Sequence, residues 1–84
     1  YPNPFNPTTT IGFDLSVATE VSLVVYDILG REVTRLVEGQ MPAAYHRLTW
    51  NGLTSDGKPA PTGVYIARLV TPSHTESIKM VLLK

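Results

Sequence analysis

Short runs of alternating apolar and polar residues fill this chain, and Gly, Pro, Asn or Asp interrupts them about every 8–12 residues. A helix needs apolar spacing near 3.6 over about 11 residues, and no segment sustains it. In TTTIGFDL, Ile11, Phe13 and Leu15 alternate with Thr10, Gly12 and Asp14, which predicts a strand with one buried face. In EVSLVVYD, Val21, Leu23 and Val25 share one face, while Val24 and Tyr26 make the other partly apolar. Apolar residues on both faces predict a central strand. The pattern as a whole predicts an all-β fold, an immunoglobulin-like antiparallel β-sandwich of six to seven short strands.

The punctuation assigns the connections. Asp27-Ile28-Leu29-Gly30 fits a tight turn, with Asp suited to its first position and Gly to its last. REVTRLVEG, with Val33, Leu36 and Val37, reads equally as a strand or a short helical turn. Gly39 to Ala44 reads as a loop. His46, Leu48 and Trp50 then share one strand face, and Asn51-Gly52 is a turn signal. LTSDGKPAPTG, with Gly57 and Gly63, predicts a long connection with tight bends. GVYIARLVT opposes Tyr65, Ala67 and Leu69 to Val64, Ile66 and Val70; Thr71 to Thr75 turns, and SIKMVLLK closes the chain.

The two ends differ in character. Pro2, Pro4 and Pro7 hold the first residues extended or turning, so residues 1–8 read as a stiff collar to a preceding domain and residues 9–84 as the folded domain. The start at Tyr1-Pro2, without an initiator Met, reads as a piece of a longer protein. At the other end, Ile78, Met80 and Leu82 point one way in an extended chain, and Val81 and Leu83 the other, with Lys79 and Lys84 flanking. That strand is expected to fill the core with one face and to offer its edge or outer face for recognition.

With 84 residues, the chain suits one domain with a small core. Its formal net charge is zero and only 17% of residues are charged. That composition lacks the basic patch needed to neutralise phosphates and argues against nucleic acid and polybasic membrane contact. No run is long and apolar enough for a membrane span, so direct membrane insertion is not expected. No cysteine is present, which excludes disulfides and thiolate metal sites.

Each potential site has an ordinary reading. Trp50 and Tyr45 could form an aromatic sugar platform, but Trp50 shares a face with Leu48 and reads as core. Asn51, Asp56 and nearby carbonyls have calcium-binding chemistry, but one local carboxylate falls short of the six to eight oxygens required. His46 and His74 lack zinc-site spacing. Ser22 sits in no nucleophile elbow, and Asp14, Asp27, Glu32 and Glu38 read as solvated or turn residues rather than an acid–base pair. No catalytic residue, metal ligand or cofactor site is expected, and the chain reads as a non-enzyme.

Five segments together resemble a known family: YPNPFNPTTTIGFDL, VSLVVYDILGREVTRLVEG, YHRLTWNG, DGKPAPTGVYIARL and SIKMVLLK. Across essentially the whole chain they resemble the type A C-terminal sorting domain of the type IX secretion system of Bacteroidota. They are also similar to the immunoglobulin-like domain of the flagellar hook-capping protein. The chain departs from the sorting pattern at Ala44, Asn51 and Ser16-Val17, where Gly, Asp and Pro are common. The first resemblance implies a non-catalytic sorting signal that directs attached cargo through the periplasm and across the outer membrane to the cell surface or medium. Its partners would be the type IX translocon, a sortase-like cysteine peptidase and the covalently attached cargo. It assigns structural roles to Pro2, Asn3, Pro4, Gly30, Trp50, Gly52, Gly57, Gly63 and Tyr65. Lys79, Met80, Val81, Leu82, Leu83 and Lys84 become the expected translocon-recognition strand. The alternative expectation is a structural spacer or accessory carbohydrate-binding module of an exported enzyme; a hook-capping-like assembly domain is the third.

Overall fold

Alternation decides which side chains meet in the middle of the molecule. The computed structural model describes residues 8–83, so the collar apart from Thr8, including Pro2, Asn3 and Pro4, lies outside the described residues, as does Lys84. Strands β1 (Thr9–Leu15) and β4 (Ala44–Trp50) form a two-stranded antiparallel sheet. Strands β2 (Thr19–Asp27), β3 (Glu32–Met41), β5 (Gly63–Thr71) and β6 (His74–Leu82) form a four-stranded one in the order β3–β2–β5–β6, also antiparallel. This is the expected sandwich, with six strands. The strand predicted to be central, β2, lies between β3 and β5.

The inner faces supply one core. Ile11 and Phe13 from β1, Val21, Leu23 and Val25 from β2, and Trp50 from β4 meet Tyr65, Ala67, Leu69, Met80 and Leu82. Complete burial of an aliphatic side chain such as Leu23 or Val25 contributes about 1.5–3 kcal/mol. Trp50 is 1% exposed and packs edge-on to Tyr65, with ring centroids 5.0 Å apart. Their polar tips are satisfied: Trp50 Nε1 donates to the Leu53 carbonyl (2.9 Å), and the Tyr65 hydroxyl donates to the Pro61 carbonyl (2.6 Å).

Strand β3 shows why its sequence period was indecisive. Leu23 pairs with Val37 but Val24 with Arg35, and Val25 pairs with Thr34 but Tyr26 with Glu32. Leu36 and Val33 are therefore extra residues, two bulges in one strand. Each bulge shifts the alternation by one, so Val33, Leu36 and Val37 all pack against the core although they are not spaced by two. The predicted loop from Gly39 to Ala44 is also corrected. Gly39, Gln40 and Met41 pair with Val21, Glu20 and Thr19, and only Pro42 and Ala43 lie between β3 and β4. Ala44 pairs with Leu15 and does not adopt positive φ, so an alanine there carries no left-handed strain.

Candidate functional site

Two connections meet at one pole of the sandwich. The turn after β2 is organised by Asp27: the Leu29 and Arg31 backbone N–H groups donate to its Oδ1 at 2.9 Å, and Arg31 Nε donates to Oδ2 at 2.8 Å. The Gly30 N–H closes the turn on the Asp27 carbonyl, at 3.0 Å, with Gly30 at φ 84°, a conformation that disfavours a side chain. The Arg31 backbone N–H, foremost, holds the Asp27 carboxyl below its ordinary range, and the Arg31 side chain and Leu29 N–H act with it. This scaffold leaves Ile28 and Leu29 exposed at 70% and 74%.

The connection between β4 and β5 folds into a small hairpin beside that turn. Ala60 N–H donates to the Gly52 carbonyl, Leu53 bridges Pro59, and Gly57, at φ 84°, closes on Thr54. Ser55 N–H donates to the Val33 carbonyl at 3.0 Å, so one β3 bulge anchors the loop. The proposed calcium ligands have turn duties: Asn51 Oδ1 accepts from Leu53 N–H, and the Asp56 carboxylate accepts from the Thr54 hydroxyl, which also lowers the Asp56 pKa.

An open groove of about 700 Å³ separates turn and loop. Ala60, Pro61 and Val64 contribute to its apolar lining, and Asp27, Glu32 and Asp56 are its carboxylates. Each already has a partner, respectively Arg31, Arg35 and Thr54. Arg35 also holds Glu38 (2.7 Å), and its pKa is raised by Glu32 first and Glu38 second. Burial pushes the Tyr65 hydroxyl up, with the Asp27 charge adding to it.

The remaining candidates are dispersed. His46 faces inward from β4, its ring 5.5 Å from Phe13 and its Nε2 2.8 Å from the Pro42 carbonyl. His74 lies at the start of β6 near Glu76. Ser22 belongs to the outward-facing set of β2 and does not meet His46. Trp50 is buried while Tyr45, 60% exposed, lies over Gly12 on the outer face of the smaller sheet. The two rings form no shared platform, which removes the basis for the sugar-binding expectation.

The terminal strand is ordered by nine successive pairs with β5, from Gly63–Leu82 to Thr71–His74. Met80 and Leu82 are buried and Ile78 packs against the core, while Val81 and Leu83 are 54% and 69% exposed. Lys79 lies on the outer side with Val81, and the second edge of β6 pairs with no described strand.

Comparison with known proteins corrects the expected role. The family model of the FlgD Ig-like domain matches residues 3–73. Basal-body rod modification protein FlgD of Escherichia coli K12 is 36% identical over 59 residues, covering 69% of this chain and 26% of that protein. Its counterpart of the same name in Salmonella typhimurium is 37% identical over 59 residues, with 69% and 25% covered. The crystal structure of FlgD from Pseudomonas aeruginosa superposes with a TM-score of 0.69 at 29% identity, covering 89% of this chain and 60% of that one. The chain thus spans about a quarter of the length of the curated relatives it matches. These matches overturn the expectation of a type IX sorting signal, and with it the translocon and the sortase-like peptidase as partners. The physical reason lies in the motifs that carried the resemblance. Gly30, Gly52, Gly57, Trp50 and Tyr65 build turns and core, duties that any domain of this fold requires, so they report architecture and not export. The strand from Lys79 onward, to which recognition was assigned, lies beyond the matched residues. With the match running through five of the six strands, the chain belongs to the FlgD Ig-like domain family.

Proposed function

We propose that this chain is a non-catalytic structural module of a protein that acts in flagellar basal-body rod modification, with flagellar rod or hook components as its partners. The observation that carries this reading is the family match over residues 3–73, supported by 36% identity to a protein of that function. The side-chain chemistry is consistent with a scaffold. His46 and Ser22 lie apart, and the carboxylates around the groove between turn and loop are held by Arg31, Arg35 and Thr54.

A chimera tests it. E. coli FlgD would carry this chain in place of the segment it matches, and hooks would be counted by electron microscopy alongside swimming-plate diameter. The control is the same protein carrying an unrelated immunoglobulin-like sandwich. Hooks with this chain and none with the control support the module reading. A stably produced chimera that assembles no more hooks than the control contradicts it.

A further inference from the structure

The residues of β2, β5 and β6 that do not enter the core form a second apolar surface. Register places Tyr26 opposite Ile66, and Val64 opposite Val81. These side chains form one stripe across three strands, half-buried at Tyr26, Val64 and Ile66 and exposed at Val81, which exposed Ile28 continues at the turn. Among the described residues no other element covers it. Contiguous exposed apolar surface on a small domain marks an interaction site more often than chance scatter does.

The stripe has a seat and a charge. A shallow depression of about 310 Å³ opens where Tyr26, Asp27, Ile28, Gly30 and Ile66 approach Arg68 and Ser77; its one carboxylate, Asp27, is already held by Arg31. Lys79 is the cross-strand neighbour of Ile66. Among the described residues neither Arg68 nor Lys79 makes an ion pair, whereas Glu32 and Glu38 on the β3 flank are both held by Arg35. An apolar seat beside two unmatched cations calls for an occupant of matching composition.

We propose that the outer face of β2, β5 and β6 is a docking surface for a segment of a partner protein that presents an aliphatic side chain beside a carboxylate. The aliphatic group fills the depression among Tyr26, Ile28 and Ile66. The carboxylate takes the Arg68 guanidinium, whose planar fork suits two parallel hydrogen bonds, and a further acidic residue reaches Lys79. A second copy of this chain is disfavoured, because packing this face on itself sets like cations against one another. The inference stands on the face alone and does not depend on a flagellar role.

Random 12-residue peptides displayed on phage and selected on the full 84-residue chain provide the probe. Selected peptides are expected to share an aliphatic residue next to Asp or Glu and to weaken with added salt. On synthesis, their amide shift perturbations should map to Tyr26, Ile66, Arg68 and Lys79. Arg68→Glu with Lys79→Glu should lower affinity by at least about tenfold, the equivalent of one lost charge-assisted contact. Arg47→Glu on the opposite side of the sandwich should leave it unchanged. The milder pair Arg68→Gln and Lys79→Gln repeats the test if charge reversal impairs folding. Failure to enrich any peptide, equal binding by both face variants, or concentration-dependent dimerisation through this face would overturn the proposal.

Discussion

The smaller sheet turns Thr10, Gly12, Asp14, Tyr45, Arg47 and Thr49 outward, while β2, β5 and β6 turn out Tyr26, Val64, Ile66, Val70 and Val81 among Ser22, Arg68, Ser77 and Lys79. The first face is what a sandwich needs: polar side chains, with Thr10 and Thr49 hydroxyls 3.4 Å apart and one tyrosine laid over a strand glycine. The second is more apolar than folding requires. Even Val24, on the outer side of β2, is only 4% exposed; its cross-strand neighbours are Arg35 and Arg68, whose apolar stems can lie over it. The difference teaches that inward and outward apolar residues answer separate demands, one set by packing and the other by contact with something outside the domain.

Substitutions can break that separation, and the largest effect belongs to the interior. Trp50→Ala should cost about 3–5 kcal/mol, read from urea unfolding, since it removes the largest fully buried side chain. An unchanged midpoint would mean that the interior does not hold the fold as described. Gly30→Ala should cost about 1–2 kcal/mol, because φ 84° is a left-handed conformation. A neutral result would show that the turn can rearrange and that Ile28 is not held in place beside the depression.

Asp27→Asn should give a smaller, pH-dependent loss. The folded-state carboxyl titrates below its ordinary value, so its contribution is full above the unfolded carboxyl's pKa and is lost as pH falls through the lower folded pKa. Wild-type and variant unfolding curves should therefore differ near neutrality and converge in acid; a gap that persists below both pKa values would contradict this role. Least affected should be Arg68→Glu and Arg47→Glu, each within about 0.5 kcal/mol of wild type, as surface substitutions usually are. A large loss from Arg68→Glu alone would mean that the outer face of the larger sheet belongs to the folding machinery after all.

Much of the architecture was legible because alternation and turn chemistry are local. Asp27 and Gly30 announced their turn, Asn51-Gly52 announced the next, and Ile11, Phe13, Val21, Leu23 and Tyr65 announced the inner faces. Strand β3 was not legible, since two bulges erase the period that would identify it, and bulge positions depend on the partner strand. Gly39 to Met41 resembled a loop for a similar reason: pairing with Thr19–Val21 overrides the weak strand preference of Gly and Gln. The resemblance to the flagellar Ig-like domain agrees with the family match, whereas the sorting role does not, because turn and core motifs report the fold and not the task it performs. The outer stripe did leave a trace in Val24, Tyr26, Val64 and Ile66, but an apolar second face in sequence does not distinguish a covered strand from one that waits for a partner. Nothing in the residues of the turn foretold that Ile28 and Leu29 would stand in solvent.

The most direct test joins the two faces to the proposed role. Three versions of the E. coli FlgD chimera would be compared for hook number per cell: the chain as it stands, Arg68→Glu with Lys79→Glu, and Arg47→Glu. The account predicts normal hooks with the first and third and few with the second, at equal protein levels. Equal hook numbers in all three would contradict it, and would leave the apolar outer face without a part in assembly.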